Sequence, residues 1–68
     1  MIPVKNRVYW LQDGSMEECV GGKIHDHFWF GGMDRTYLHG VLETEIEREA
    51  TPEEIQQVRD YYDRSEGI

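Results

Sequence analysis

The residues best placed to do chemistry are two histidines separated by one position, His25-Asp26-His27. On a β-strand, side chains two apart share a face, so both imidazoles would project together with Cα atoms about 6.5–7 Å apart. Paired imidazoles with a carboxylate opposite are a common ligand set for a transition metal. A two-residue turn at Gly21-Gly22 would pair Glu18 with His25, so His25, His27 and Glu18 form a candidate metal set. The plainer reading is two histidines on a wet strand face. Cys19 is the only cysteine. A reactive thiolate needs a neighbouring base or cation, and the expected register sets Cys19 between Val8 and Ile24, away from His25. That makes it a small core residue. No P-loop, G-x-G-x-x-G, G-x-S-x-G or Ser-His-Asp pattern is present, so no catalytic group and no cofactor are expected.

The acidic residues form the other chemical feature. The chain of 68 residues has 14 Asp and Glu against 7 Lys and Arg, a net charge of −7. Residues 36–68 carry Arg48, Arg59 and Arg64 against seven Glu and two Asp, so nearly all of the excess is C-terminal. A phosphate backbone needs Lys and Arg for recognition, which argues against direct nucleic-acid binding. Anionic membrane surfaces are disfavoured for the same reason. Glu43, Glu45, Glu47 and Glu49 alternate, and Glu53 and Glu54 continue the acidic run. On one strand the first four would line a single face at about 6.8 Å spacing, a rough imitation of a nucleic-acid backbone. The competing reading is a solvated edge, where acidic side chains block sheet-to-sheet association.

Elements must hold these residues in place. Asp13-Gly14, Gly21-Gly22 and Gly31-Gly32 are turn signals at the spacing of an antiparallel meander. They divide the first half into expected strands over 4–12, 15–20 and 23–30. A two-residue turn at Asp13-Gly14 pairs Val8 with Cys19, Tyr9 with Glu18 and Trp10 with Glu17. One face then holds Val8, Trp10, Cys19, Ile24, Phe28 and Phe30. The other holds Tyr9, Leu11, Met16, Val20, His25, His27 and Trp29. Large apolar groups on both faces imply a strongly curled sheet with a helix over one side. The segment 37–49 carries both a strand period and a helical line through Leu38, Leu42 and Ile46. The meander that precedes it favours a fourth strand. Thr51, Pro52 and Glu54 form a capping box before Ile55, Val58 and Tyr62, which predicts a helix over 52–64. Within it, Asp60 and Arg64 are spaced for an ion pair.

The expected fold is α+β, a single small domain with a curled meander of three to four strands and one C-terminal helix. Hydrophobic residues make up 38% and aromatics 12%, which is globular rather than disordered. No apolar run approaches the ~20 residues of a membrane span. Residues 1–10 lack the pattern of a secretory signal, so a soluble cytoplasmic protein is expected. A chain this short buries only roughly 60% of its unfolded surface. The aromatics exceed what such a core can take, and the surplus, with Trp29 and Tyr61 as anchors, suits a protein interface.

The small, acidic, cysteine-poor, sheet-rich profile resembles that of phage-encoded inhibitors, including anti-CRISPR proteins and DNA mimics. That likeness implies a protein-binding inhibitor or modulator that occupies a basic groove on a nucleic-acid-handling enzyme, through Glu43, Glu45, Glu47, Glu49, Glu53 and Glu54. Two other readings come from different classes. One is a metal-binding or small enzymatic domain on His25, His27 and Glu18. The other is a homodimeric structural or assembly subunit.

Overall fold

The computed structural model describes residues 1–33 and 37–66. Five strands form one antiparallel sheet, followed by a helix: β1 Val8–Leu11, β2 Met16–Ile24, β3 His27–Gly32, β4 Leu38–Leu42, β5 Ile46–Glu49 and α1 Pro52–Glu66. The α+β class, the curled meander and the C-terminal helix are as the sequence predicts. The strand order is β4-β3-β2-β1-β5. The two edge strands are therefore consecutive in sequence. Only the 3₁₀ turn Glu43–Glu45 links them. So short a link brings the two edges of the sheet near each other, which requires a strong curl.

The expected single strand over 37–49 is in fact two strands. The 3₁₀ turn carries the chain from one edge to the other. The Glu45 side chain holds it by accepting the Leu42 N–H at 2.7 Å. The Glu45 carbonyl accepts the Gln12 N–H at 2.8 Å, which starts the pairing of β5 with β1.

The first hairpin corrects the expected register by one residue. Val8 lies opposite Glu18, Tyr9 opposite Glu17 and Trp10 opposite Met16. The Leu11 carbonyl accepts the Gly14 N–H at 3.0 Å, and the Leu11 N–H donates to the Ser15 carbonyl at 2.8 Å. Gly14 has φ +89°. This is a three-residue loop ending in a left-handed glycine bulge, not a two-residue turn. A one-residue shift exchanges the faces of β2. Cys19 joins Tyr9, Leu11, Phe28, Phe30, Val41 and Ile46 in the inner core. Met16 joins Val8 and Ala50 on the outer face, where Trp10, Met33, Ile55 and Val58 complete a second cluster beneath α1. The expectation of apolar groups on both faces holds, with the members redistributed. Inside, Tyr9 and Phe30 meet edge-on at 6.0 Å, and the buried Tyr9 hydroxyl accepts the Val4 N–H at 2.8 Å.

Gly21-Gly22 is not a turn. β2 runs through it to Ile24, and the ladder with β3 slips between Cys19 and Lys23. Both glycines have positive φ, +98° and +82°, and supply an irregular bulge. The turn falls instead at His25-Asp26, with Ile24 opposite His27. Gly31-Gly32 also lies inside a strand. A Cβ at Gly31 would sit 2.9 Å from Leu38 Cδ2 and 3.3 Å from the Tyr37 carbonyl oxygen, so a side chain there would displace the Leu38 side chain and crowd the start of β4.

The capping box of α1 forms as predicted. Thr51 Oγ1 accepts the Glu54 N–H at 3.2 Å, and the Glu54 carboxylate accepts the Thr51 N–H at 2.8 Å. Asp60 accepts from Gln56 Nε2 at 2.9 Å. No helix of the described residues is long and apolar enough to cross a membrane.

Candidate functional site

The proposed metal set does not assemble. His25 sits in the β2–β3 turn with φ +56°, outside the strand geometry that would align it with His27. Glu18 lies opposite Gly31, four residues along β3 from His27. That offset is about 13 Å. Among the described residues no group of three or more His, Cys, Asp or Glu is placed to hold a metal ion. Cys19 is buried in the inner core.

The glutamate ladder is interrupted. Glu43 and Glu45 fall in the 3₁₀ turn, and only Glu47 and Glu49 continue on β5. Most of these carboxylates are also engaged within the chain. Glu43 accepts from the N-terminal ammonium at 2.8 Å. Glu49 lies 3.5 Å from the Arg7 guanidinium. Glu54 receives both Arg48 nitrogens, at 2.9 and 2.7 Å. The Glu47 and Glu53 side chains are exposed. The Arg48 guanidinium, helped by the Thr51 N–H, holds the Glu54 carboxyl far below its ordinary value of 4.5. The N-terminal ammonium likewise lowers the Glu43 carboxyl.

The most developed concave feature is a groove of about 460 Å³ between the sheet and α1. That is within the size range of side-chain and small-ligand pockets. Trp10, Met16, Glu17, Met33 and Tyr37 line it from the sheet side, and Val58, Tyr61 and Tyr62 from the helix. α1 creates the groove because it docks by only one stripe. Ile55 and Val58 are half-buried, while Tyr61 and Tyr62 in the next turn are 68% and 41% exposed. The Tyr61 and Tyr62 rings meet edge-on at 5.8 Å. Tyr61 is thus exposed, as expected. Trp29 is half-buried on β3, opposite Gly40, and does not line the groove.

Next to Met16 on β2, Glu17 lies opposite Tyr9 and so turns its carboxylate to the inner face. Among the described residues Glu17 is the one buried charged residue, at 3% exposure. An unpaired buried charge costs several kcal/mol, so it needs partners. His39 Nε2 on β4 contacts Glu17 Oε1. Oε2 accepts from the Tyr37 hydroxyl at 3.3 Å and lies 3.4 Å from Ser15 Oγ. Ser15 Oγ also donates to Asp13 at 2.6 Å, a much better bond. These partners are distant in sequence, and only the observed register joins them: Glu17 opposite Gly32, and Gly31 opposite Leu38. The expected register put Glu17 opposite Trp10, whereas it lies opposite Tyr9.

The chain matches no protein-family model, no curated protein and no solved structure. The site therefore stands on its own geometry.

Proposed function

We propose that this chain is a protein-binding module that docks through the groove between α1 and the sheet, with the surrounding acid steering it to a basic partner. The observation that carries the reading is the exposure of Tyr37, Tyr61 and Tyr62 around one groove on a chain of 68 residues. A small domain that leaves this much aromatic surface at a concave site has an interface there. The net charge of −7 selects a partner rich in Lys and Arg and speeds the encounter. The partner class that fits best is a nucleic-acid-handling enzyme. The chain would act as its inhibitor or modulator by covering a basic surface, with no chemistry of its own. Regular phosphate-like spacing is not part of this reading, because the 3₁₀ turn breaks the ladder.

Capture from lysate tests it. The wild-type chain, a Tyr61→Ala variant and a Glu47→Lys/Glu53→Lys double variant are compared at low and high salt. These positions are exposed, so the fold survives the changes. The expected outcome is a Lys/Arg-rich nucleic-acid-binding protein whose capture weakens in both variants and in high salt, and whose nucleic-acid binding falls when the chain is added. Capture that neither variant changes contradicts the groove as the interface.

A further inference from the structure

One edge of the sheet is open. β4 pairs with β3 alone, at the end of the order β4-β3-β2-β1-β5. Leu42 stands opposite His27, yet its N–H turns away from β3 to the Glu45 carboxylate at 2.7 Å. In an antiparallel ladder, residues bonded to the neighbouring strand alternate with residues whose N–H and C=O face away. Gly40 and Leu38 therefore face away as Leu42 does, with about 6.8 Å between them. Both are exposed, Leu38 at 63%. Glu45 fills the edge donor of Leu42, but among the described residues nothing meets the outward N–H and C=O of Leu38 and Gly40.

The opposite edge is guarded. β5 carries Glu47, Arg48 and Glu49, and charged side chains on an edge oppose the addition of a strand. β4 reads Leu-His-Gly-Val-Leu, with no Asp, Glu, Lys, Arg or Pro to do so. Donors and acceptors repeating at strand spacing match an extended main chain. The charge beside the edge selects which chain. On the inner face, His39 and Val41 share a cleft of about 180 Å³ with Asp13 and Glu45, and no described Lys or Arg lines it. The His39 imidazole is turned to Glu17. On an added strand, the residue opposite His39 would lie on this same face, beside the two carboxylates. A basic side chain is attracted there. A second copy of this chain would bring its own charge of −7, with its own Asp13 and Glu45, to the same edge and be repelled.

We propose that β4 takes an extended basic segment of the partner protein as a sixth strand, bonded through the main chain of Leu38 and Gly40, with a lysine or arginine opposite His39 that reaches Asp13 and Glu45. This rests on the protein-binding reading above and adds how the partner's chain is held. Main-chain pairing supplies the hold, and the two carboxylates supply the preference for a basic residue.

The test is an NMR titration of the intact chain with acetyl-Thr-Val-Lys-Val-Thr-amide, its counterpart with Glu in place of Lys, and the Lys peptide with both valines N-methylated. The Lys peptide should shift the Leu38 and Gly40 amide resonances with a dissociation constant of about 1 mM, as suits one short strand. The Glu peptide should bind about tenfold more weakly. The N-methylated peptide, which lacks the donors for the Leu38 and Gly40 carbonyls, should shift neither amide. Leu38→Pro removes one outward N–H at an exposed edge position, where proline is tolerated, and should weaken the Lys peptide about tenfold. Leu38→Ala keeps that N–H and should retain binding.

Equal binding of the N-methylated peptide overturns main-chain pairing, and equal binding of the Glu peptide overturns the basic segment. Leu38 and Gly40 shifts that grow with the concentration of the chain alone make the occupant a second copy and overturn the partner strand. Should Leu38→Pro fold poorly, the N-methylated peptide still decides. Partner capture that depends on Tyr61 while the Lys and N-methylated peptides behave alike defeats this inference and leaves the docking reading intact. Capture that neither Tyr61→Ala nor Leu38→Pro weakens defeats both.

Discussion

At the residue scale, Glu17 and Glu54 show how similar carboxylates take different roles. Glu54 is paired with Arg48 and the Thr51 N–H, so its acid is depressed in the folded chain. A depressed carboxyl adds stability that is fully present above the unfolded value and is lost as pH falls through the folded one. For Glu54 the loss starts near 4.5 and continues downward. Glu54→Gln should therefore lower the melting temperature at pH 7 and narrow its gap to wild type as pH falls below 4.5. Parallel melting curves from pH 7 to 3 would contradict the role given to that pair. In the core, Phe30→Ala should cost about 3–5 kcal/mol in urea unfolding, because Phe30 is fully buried against Tyr9. A loss below about 1 kcal/mol would show that the inner cluster is not the stabilising one. The burial of Cys19 could be anticipated from apolar cross-strand neighbours, although Phe30 stands where Ile24 was expected. Glu17 could not, because its partners Tyr37 and His39 lie 20 and 22 residues away.

At the element scale, the helix was the most legible part because its start is written locally. Thr51, Pro52 and Glu54 make a self-contained cap, and the structure forms both of its hydrogen bonds. Thr51→Ala should cost about 1 kcal/mol, measured by chemical denaturation. An unchanged midpoint would mean that α1 is held by packing alone. The glycine pairs were less legible, since a left-handed glycine serves a turn and a bulge equally well. Gly21-Gly22 is a bulge, and the turn passes to His25-Asp26. Gly31 is a glycine because β4 passes close to it. The Asp13-Gly14 hairpin was correctly placed, but its loop is one residue longer than assumed. That single residue moved Cys19 and Glu17 to the inner face and Met16 to the outer one. The move of the β2–β3 turn to His25-Asp26 is what dissolved the proposed His25, His27 and Glu18 set.

At the scale of the whole molecule, the extents are 41 × 21 × 20 Å, so the chain is about twice as long as it is wide. α1 contributes to this asymmetry, since its first turns pack on Val8, Met16 and Ala50 and the later ones carry exposed tyrosines. The charge is organised at the same scale. Ion pairs to the N-terminus, Arg7 and Arg48 occupy Glu43, Glu49 and Glu54, and Glu45 holds the Leu42 N–H, which leaves the exposed Glu47 and Glu53 to meet a partner. The central claim is that binding occurs at the groove between α1 and the sheet. Its most direct test is an NMR map of the isotope-labelled chain as the captured partner is added. The account predicts shifts or broadening at Trp10, Tyr37, Tyr61 and Tyr62, with smaller changes at Glu47 and Glu53. Perturbations confined to the other exposed apolar residues, Ile2, Val4 and Ile24, would contradict it.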